Sequence, residues 1–293
     1  MPVRAVAIAA LSLCLQGQDV RLQPYRVSPP ASVSQGLGIV QVKVDYHRPA
    51  VRDRGIWGGV VPFGQVWRAG ANAATVLTLS HPAKLRGQEL PAGSYALFVI
   101  PQTDRWTWVL NRKAAQWGAY AYKPEDDVLR FDTPVRHAPH EEWLRYDLRI
   151  VDPQTLRLEL RWEKVATDFD LVFDTRGLYW KHLEETLAKA KPEDWVPWYQ
   201  AALYCFQQEI HLDKAHDWTD RSLIAKPTYS NLELKARLLR RLGQNQAALE
   251  HLDRALAMAK EGTPKEYQDG LRKLREEWTR TPVTELIAPK CCR

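Results

Sequence analysis

Arg145-Tyr-Asp-Leu-Arg-Ile150 and Arg157-Leu-Glu-Leu-Arg-Trp162 place a polar side chain at every second position and an apolar one between. Successive side chains of a strand point to opposite faces, so each segment reads as a strand with one wet and one buried face. The alternation recurs in Gly38-Ile-Val-Gln-Val-Lys-Val-Asp-Tyr46 and in Ala74-Thr-Val-Leu-Thr-Leu-Ser80. Tyr95-Ala-Leu-Phe-Val-Ile100 and Trp106-Thr-Trp-Val-Leu-Asn111 are joined by residues 101–105 and predict a hairpin. Leu85-Arg-Gly-Gln-Glu-Leu-Pro-Ala-Gly93 predicts a short strand and two turns, and 128–135, 144–151 and 156–164 predict three further strands. No helical pattern interrupts this series, which argues for an antiparallel β-sandwich. Residues 18–34 read as a polar, extended lead-in, 116–126 as a loop or short helix, and His137-Ala-Pro-His140 as a polar loop.

Beyond Phe169-Asp-Leu-Val-Phe173 the period lengthens to that of a helix. Tyr179, Leu183 and Leu187 share a face, and Lys191-Pro192 ends that helix. Two helical hairpins follow with a repeat of 33 residues: Tyr199 with Leu232, Leu203 with Ala236, Phe206 with Leu239, Ala215 with Ala248. That spacing is close to the tetratricopeptide period of roughly 34 residues. A last helix over 265–280 would cap the stack. The expected chain is therefore β plus α in two domains, an antiparallel β-sandwich followed by a short α-helical-repeat (TPR-like) domain. The expected boundaries are a signal peptide over 1–17, the sandwich over 28–168, the helices over 175–281 and a flexible tail over 282–293.

The N-terminus, MPVRAVAIAALSLCLQGQDV, has one arginine ahead of a short apolar run and polar residues directly after it. This is the pattern of a secretory signal, too short for a membrane span. The protein is expected to be exported, periplasmic or secreted, with cleavage near Gly17. Lipid anchoring at Cys14 is the less favoured alternative, because Leu13 occupies the place of a small residue. Cys205, Cys291 and Cys292 form no disulfide framework and no spaced metal set. The net charge of +6 is dispersed without a Lys/Arg block, which argues against a nucleic-acid partner. No phosphate loop, dinucleotide fingerprint or nucleophile elbow occurs, and neither cofactor nor metal is expected.

Candidate function concentrates in residues 48–75, RPAVRDRGIWGGVVPFGQVWRAGANAAT. Arginine and tryptophan alternate there with glycines and prolines that impose turn geometry. Ordered long connections of this kind are where binding groups are usually placed. The candidate ligand-binding residues are Arg48, Trp57, Trp67, Arg68, Asn72 and Thr75. Arg68 offers a planar fork to a carboxylate or phosphate, Asn72 can orient an amide or hydroxyl, and the tryptophans supply stacking faces. The structural alternative pairs Arg68 with Asp45 or Asp53 and leaves Asn72 bonded to its own turn.

Many of these residues carry a family resemblance. Ser28-Pro29, Tyr46 with Arg48-Pro49, Val61-Pro-Phe-Gly-Gln-Val-Trp-Arg68, Gly70-Ala-Asn72 and Ala74-Thr75 open it; Leu90-Pro-Ala-Gly-Ser-Tyr95, Ile100-Pro101, Asn111, Gln116-Trp-Gly118, Tyr120, Tyr122 and Asp127-Val-Leu-Arg130 continue it. Over roughly 28–163 the chain resembles the bacterial DUF2911 family, which implies an exported β-rich domain sometimes followed by helical repeats and brings no established activity. The chain departs from the pattern at Ala73, where glutamate often stands, and in detail over 52–55. The favoured reading is a non-catalytic binding or scaffold protein of the cell envelope, with a small polar ligand at Arg68 and Asn72. A protein or peptide partner would dock on the helical repeats. The alternative is a hydrolase of envelope carbohydrate or peptide that uses His47 or His81 with Asp45 or Asp53.

Overall fold

The computed structural model describes residues 26–259, 263–281 and 283. The expected signal peptide, Cys14, Cys291 and Cys292 lie outside the described residues, as does the expected tail apart from Val283. The chain divides into two compact units, Met1–Phe173 and Asp174–Arg293.

The first unit contains two antiparallel sheets. One is six-stranded, with β1 (Pro30–Leu37), β2 (Val40–His47), β3 (Thr75–Leu79), β6 (Gly93–Pro101), β7 (Arg105–Asn111) and β8 (Asp127–Pro134) adjacent in that order. The other runs β5 (Gln88–Leu90), β4 (Ala83–Leu85), β10 (Thr155–Val172), β9 (Arg136–Asp152). The alternation in the sequence places the buried faces: Leu156, Leu158, Leu160 and Trp162 of β10 are at most 1% exposed. They meet side chains of the larger sheet in an antiparallel sandwich. Trp108 of β7 packs edge-on against Phe169 of β10 at 5.0 Å, and Tyr46 of β2 against Tyr146 of β9 at 4.8 Å. The Thr133 hydroxyl of β8, which accepts the Trp108 indole N–H at 3.0 Å, is 2.6 Å from that of Thr167 of β10.

β10 doubles back on itself. Arg157 is ion-paired with Asp170, thirteen residues further along, and the Phe173 N–H donates to the Gln154 carbonyl at 2.7 Å. An extended strand would hold Arg157 and Asp170 roughly 40 Å apart. The reversal falls at Glu163, whose backbone is left-handed (φ 55°). This is why the β-unit continues to Phe173, beyond the expected limit of residue 168.

Two further segments differ from expectation. The lead-in supplies β1, which pairs with β2 from Pro30 opposite His47 to Leu37 opposite Val40. An edge strand with one solvated face tolerates both its serines and an initial proline. His137-Ala-Pro-His140 lies within β9, at the other sheet's edge, where Pro139 costs no ladder bond on the open side.

The second unit has six helices: α1 (Thr175–Lys189), α2 (Trp195–Gln208), α3 (Leu212–Ala225), α4 (Tyr229–Arg241), α5 (Asn245–Met258) and α6 (Lys265–Arg280). Their hairpin succession is that of a helical-repeat region. Ala215, Thr219 and Ser222 of α3 and Ala248, Leu252 and Ala255 of α5 occupy equivalent positions and are all fully buried. Five of the six side chains, all but Leu252, are small and let paired helices approach closely. Thr228 caps α4 by accepting the Asn231 N–H, while the Asn231 side chain accepts the Thr228 N–H at 2.8 Å. Cys205 is buried in α2, and burial pushes its thiol up to about 11. No helix among the described residues is long and apolar enough to cross a membrane.

Candidate functional site

The connection from β2 to β3 is long and without regular structure, yet each part of it is held. Trp67 pairs with Val99 of β6 by two backbone hydrogen bonds of 2.8 Å, extending the ladder past the end of β3. The Arg48 guanidinium donates to the Leu144 carbonyl at 2.9 Å, and the Val51 N–H donates to that of Glu142 at 2.9 Å. Both tie the connection to β9. Ala69 is left-handed (φ 51°), a conformation that costs an alanine roughly 1–2 kcal/mol. Two buried hydroxyls hold its carbonyl there, those of Thr75 (2.9 Å) and Tyr146 (2.8 Å). Beside it a Cβ on Gly70 would lie 2.9 Å from the Thr75 hydroxyl and 3.2 Å from the His47 carbonyl, so only glycine fits.

Four tryptophans anchor the segment. Trp57 and Trp67, from the connection, pack with Trp106 of β7 and Trp162 of β10. The Trp57 and Trp106 rings are 4.5 Å apart, and Trp67 stacks on Trp162 at 5.9 Å and 18°. Such pairs add about 0.5–1.5 kcal/mol each beyond their burial. Trp67 donates its indole N–H to the Gly70 carbonyl and Trp106 to that of Gln102. The indole N–H groups of Trp57 and Trp162 are buried and have no partner among the described residues.

Above this cluster lies a cleft of about 280 Å³. Trp67 and Trp162 line its floor, Arg52, Arg54 and Arg68 contribute cations, and Asn72 and Ser28 add polar edges. Of the sequence candidates, the cleft brings together Trp67, Arg68 and Asn72. Arg48 is engaged with β9, Trp57 sits in the tryptophan cluster and Thr75 is fully buried on Ala69; none of these three lines the cleft. Asn72 is left-handed (φ 56°), donates from its side-chain amide to the Ser28 carbonyl at 3.1 Å, and so fixes the start of the β-unit as one wall. Arg68 donates to the Asn72 carbonyl at 2.9 Å and lies over the Tyr120 ring at 5.7 Å. It does not meet Asp45, which pairs with Lys43 at 2.9 Å. Arg52, Arg54 and Trp162 were not among the expected residues. The first two look like ordinary turn arginines in the sequence, and Trp162 falls on the apolar face of its strand, which reads as core.

The histidines do not assemble a catalytic pair. His47 is 3.1 Å from the Arg26 guanidinium, and its pKa is lowered by burial and then by that charge. His81 is 2.8 Å from the Ser80 hydroxyl. Neither ring contacts a carboxylate among the described residues. His140 does approach Glu142 at 3.3 Å, in the open. No group of three or more His, Cys, Asp or Glu suited to a metal ion occurs among the described residues.

The remaining residues of the resemblance form a structural network beside the site. The buried Asn111 side chain donates to Asp127 (2.9 Å) and the Lys123 carbonyl (3.2 Å) and accepts from Gln116 (3.0 Å). Tyr122 donates to Asp127 at 2.7 Å; burial first, and then this carboxylate, push its phenol up to about 12. These bonds pin residues 112–126, and Ala73 and Gly118 of the two facing loops are joined through the Ala73–Trp117 bridge and the Gly118 N–H to the Asn72 carbonyl.

In the helical unit a second groove, of about 340 Å³, runs between α4 and α6 and is lined by Glu233, Arg237, Tyr267, Leu271, Leu274 and others. Tyr267 and Arg237 both bond the Glu233 carboxylate.

Fold and site together define a β-sandwich domain with a small cleft under its longest connection, followed by a helical-repeat unit. Residues 28–171, nearly the whole β-unit, match the family model described as "Protein of unknown function (DUF2911)". No curated protein and no solved structure matches the chain.

Proposed function

We propose that the protein is a non-catalytic binding module, with the cleft beside Arg68 and Asn72 as the site for a small polar ligand and the helical repeats as the docking surface for a protein or peptide. The carrying observation is the cleft itself. Its floor is aromatic, its edge holds hydrogen-bond donors, and the chain around it is over-determined by backbone and ring contacts. Sites of this kind are usually pre-formed in that way. Its volume of about 280 Å³ falls just below the roughly 300–1,000 Å³ of drug-sized ligand sites, so it suits a small ligand.

The hydrolase alternative required an imidazole and a carboxylate within hydrogen-bond reach in one cleft. His47 and His81 line no part of this one, which favours binding over catalysis. The apolar run and early arginine of residues 1–17 support export to the periplasm or beyond, with lipidation of Cys14 as the lesser route. A thermal-shift screen of the purified protein against sugars, short peptides and small acids tests the proposal. A ligand whose effect saturates and disappears in Arg68→Ala supports it. An Arg68→Ala protein that melts lower but responds to the same compounds as before contradicts it.

A further inference from the structure

The charge around the cleft narrows the ligand. Of the residues lining it, Arg52, Arg54 and Arg68 are cationic and none is acidic. Each guanidinium carries five N–H donors. Arg54 donates to the Val51 carbonyl (3.0 Å) and the Ala50 carbonyl (2.7 Å), and Arg68 only to the Asn72 carbonyl. The Arg52 guanidinium has no partner among the described residues; its backbone N–H alone is engaged, by Glu142 at 3.0 Å. That carboxylate is held below its usual range, first by this N–H.

The turn that presents Arg52 is itself unusual. Arg52 (φ 49°) and Asp53 (φ 53°) are consecutive left-handed residues, closed by the Arg54 N–H to the Val51 carbonyl at 3.2 Å. Two non-glycine residues in that conformation cost of order 1 kcal/mol or more each. At the base of the cleft, Trp162 is 1% exposed and its indole N–H is unsatisfied among the described residues. A buried donor without an acceptor costs about 1–3 kcal/mol. Three cations with no acid among the residues lining the cleft, beside an unmatched donor, lack an anionic acceptor.

We propose that the cleft binds a compact oxyanion, a carboxylate- or phosphate-bearing small molecule, held by the forks of Arg52, Arg54 and Arg68 over the Trp67–Trp162 floor. This rests on the reading of the cleft as a ligand site and names its ligand class. Arginine forks match the planar carboxylate and the phosphate edge.

The test uses the full chain and its own tryptophan fluorescence at constant ionic strength. The titrants are inorganic phosphate, citrate, benzoate, a neutral disaccharide and a primary amine. The expected result is a saturable change with at least one of the three anions, none with the disaccharide or amine, and affinity weakened at least about tenfold in Arg52→Gln. Arg52 has no intramolecular side-chain bond to lose, so that variant keeps its fold and its melting temperature reports this independently. Saturable binding of the disaccharide or amine, unchanged in Arg52→Gln, overturns the oxyanion assignment and leaves the binding module standing. No saturable change with any titrant overturns both.

Discussion

The β-unit holds two clusters of arginine that differ in one respect. On the outer face of the smaller sheet, Arg136, Arg149 and Arg161 surround the fully buried carboxylate of Glu159, and Arg136 and Arg157 also pair with Asp168 and Asp170. Around the cleft, Arg54 and Arg68 meet only backbone carbonyls and an aromatic ring, and the Arg52 guanidinium has no partner among the described residues. In the first cluster the folded chain has compensated its own charge, so the arginines brace the doubled strand. In the second the compensation is incomplete. Side chains of the same chemistry are structural where acids are interleaved and available where they are not.

Removing the compensating acid breaks the comparison most strongly. Glu159→Leu removes the buried acceptor shared by three guanidinia, which are partly exposed and can be resolvated, and the loss is expected to be about 2–3 kcal/mol by chemical denaturation. A loss below 1 kcal/mol would show the outer cluster to be as loosely compensated as the cleft. Next comes the support of the connection: Thr75→Val removes one of the two hydroxyls on the Ala69 carbonyl and is expected to cost about 1–2 kcal/mol. The remaining Tyr146 bond keeps the segment folded, and circular dichroism of the variant checks that it does.

The Arg157–Asp170 pair is smaller in effect and depends on pH. Asp170 is held below 3.8, first by its hydrogen bond from Arg157. A depressed acid contributes stability above its unfolded pKa and loses it as pH falls through its folded one. The difference in stability between wild type and Arg157→Gln is therefore expected to be under about 1 kcal/mol at neutral pH, because both side chains are more than a third exposed, to shrink as pH falls past 3.8, and to vanish only once pH is below the depressed folded value. Acid-titrated melting curves of the two proteins would show a constant gap if the pair were not responsible. Smallest is Arg52→Gln without ligand, which is expected to stay within about 0.5 kcal/mol of wild type.

Much of the fold could be read directly. Strands such as 74–80 and 106–111 announce themselves by period two, and the helices by a repeat that recurs as equivalent buried positions, Ala215 with Ala248. The reversal within β10 could not be read, because Glu163-Lys164 carries no glycine, asparagine or proline to signal a turn. β1 was hidden because only Leu37 of its eight residues is buried, and its half-buried positions carry Ala31, Val33, Gln35 and Gly36, too weak an apolar alternation to read. Of the cleft, Trp67, Arg68 and Asn72 were legible from their density of arginine, tryptophan and glycine. Thr75 came with them only by proximity in sequence, and in the fold it faces inward. Trp162 was invisible as a site residue, since its strand brings it under the connection from a position 95 residues beyond Trp67.

The comparison between the two arginine clusters is tested most directly by melting temperature against phosphate or citrate concentration at fixed ionic strength, in wild type, Arg52→Gln and Arg149→Gln. Oxyanions stabilise many proteins nonspecifically, so the contrast between variants carries the information. The account predicts that wild type and Arg149→Gln gain stability in parallel, from different starting points, while Arg52→Gln gains markedly less. An Arg52→Gln curve that rises as steeply as the other two would contradict it.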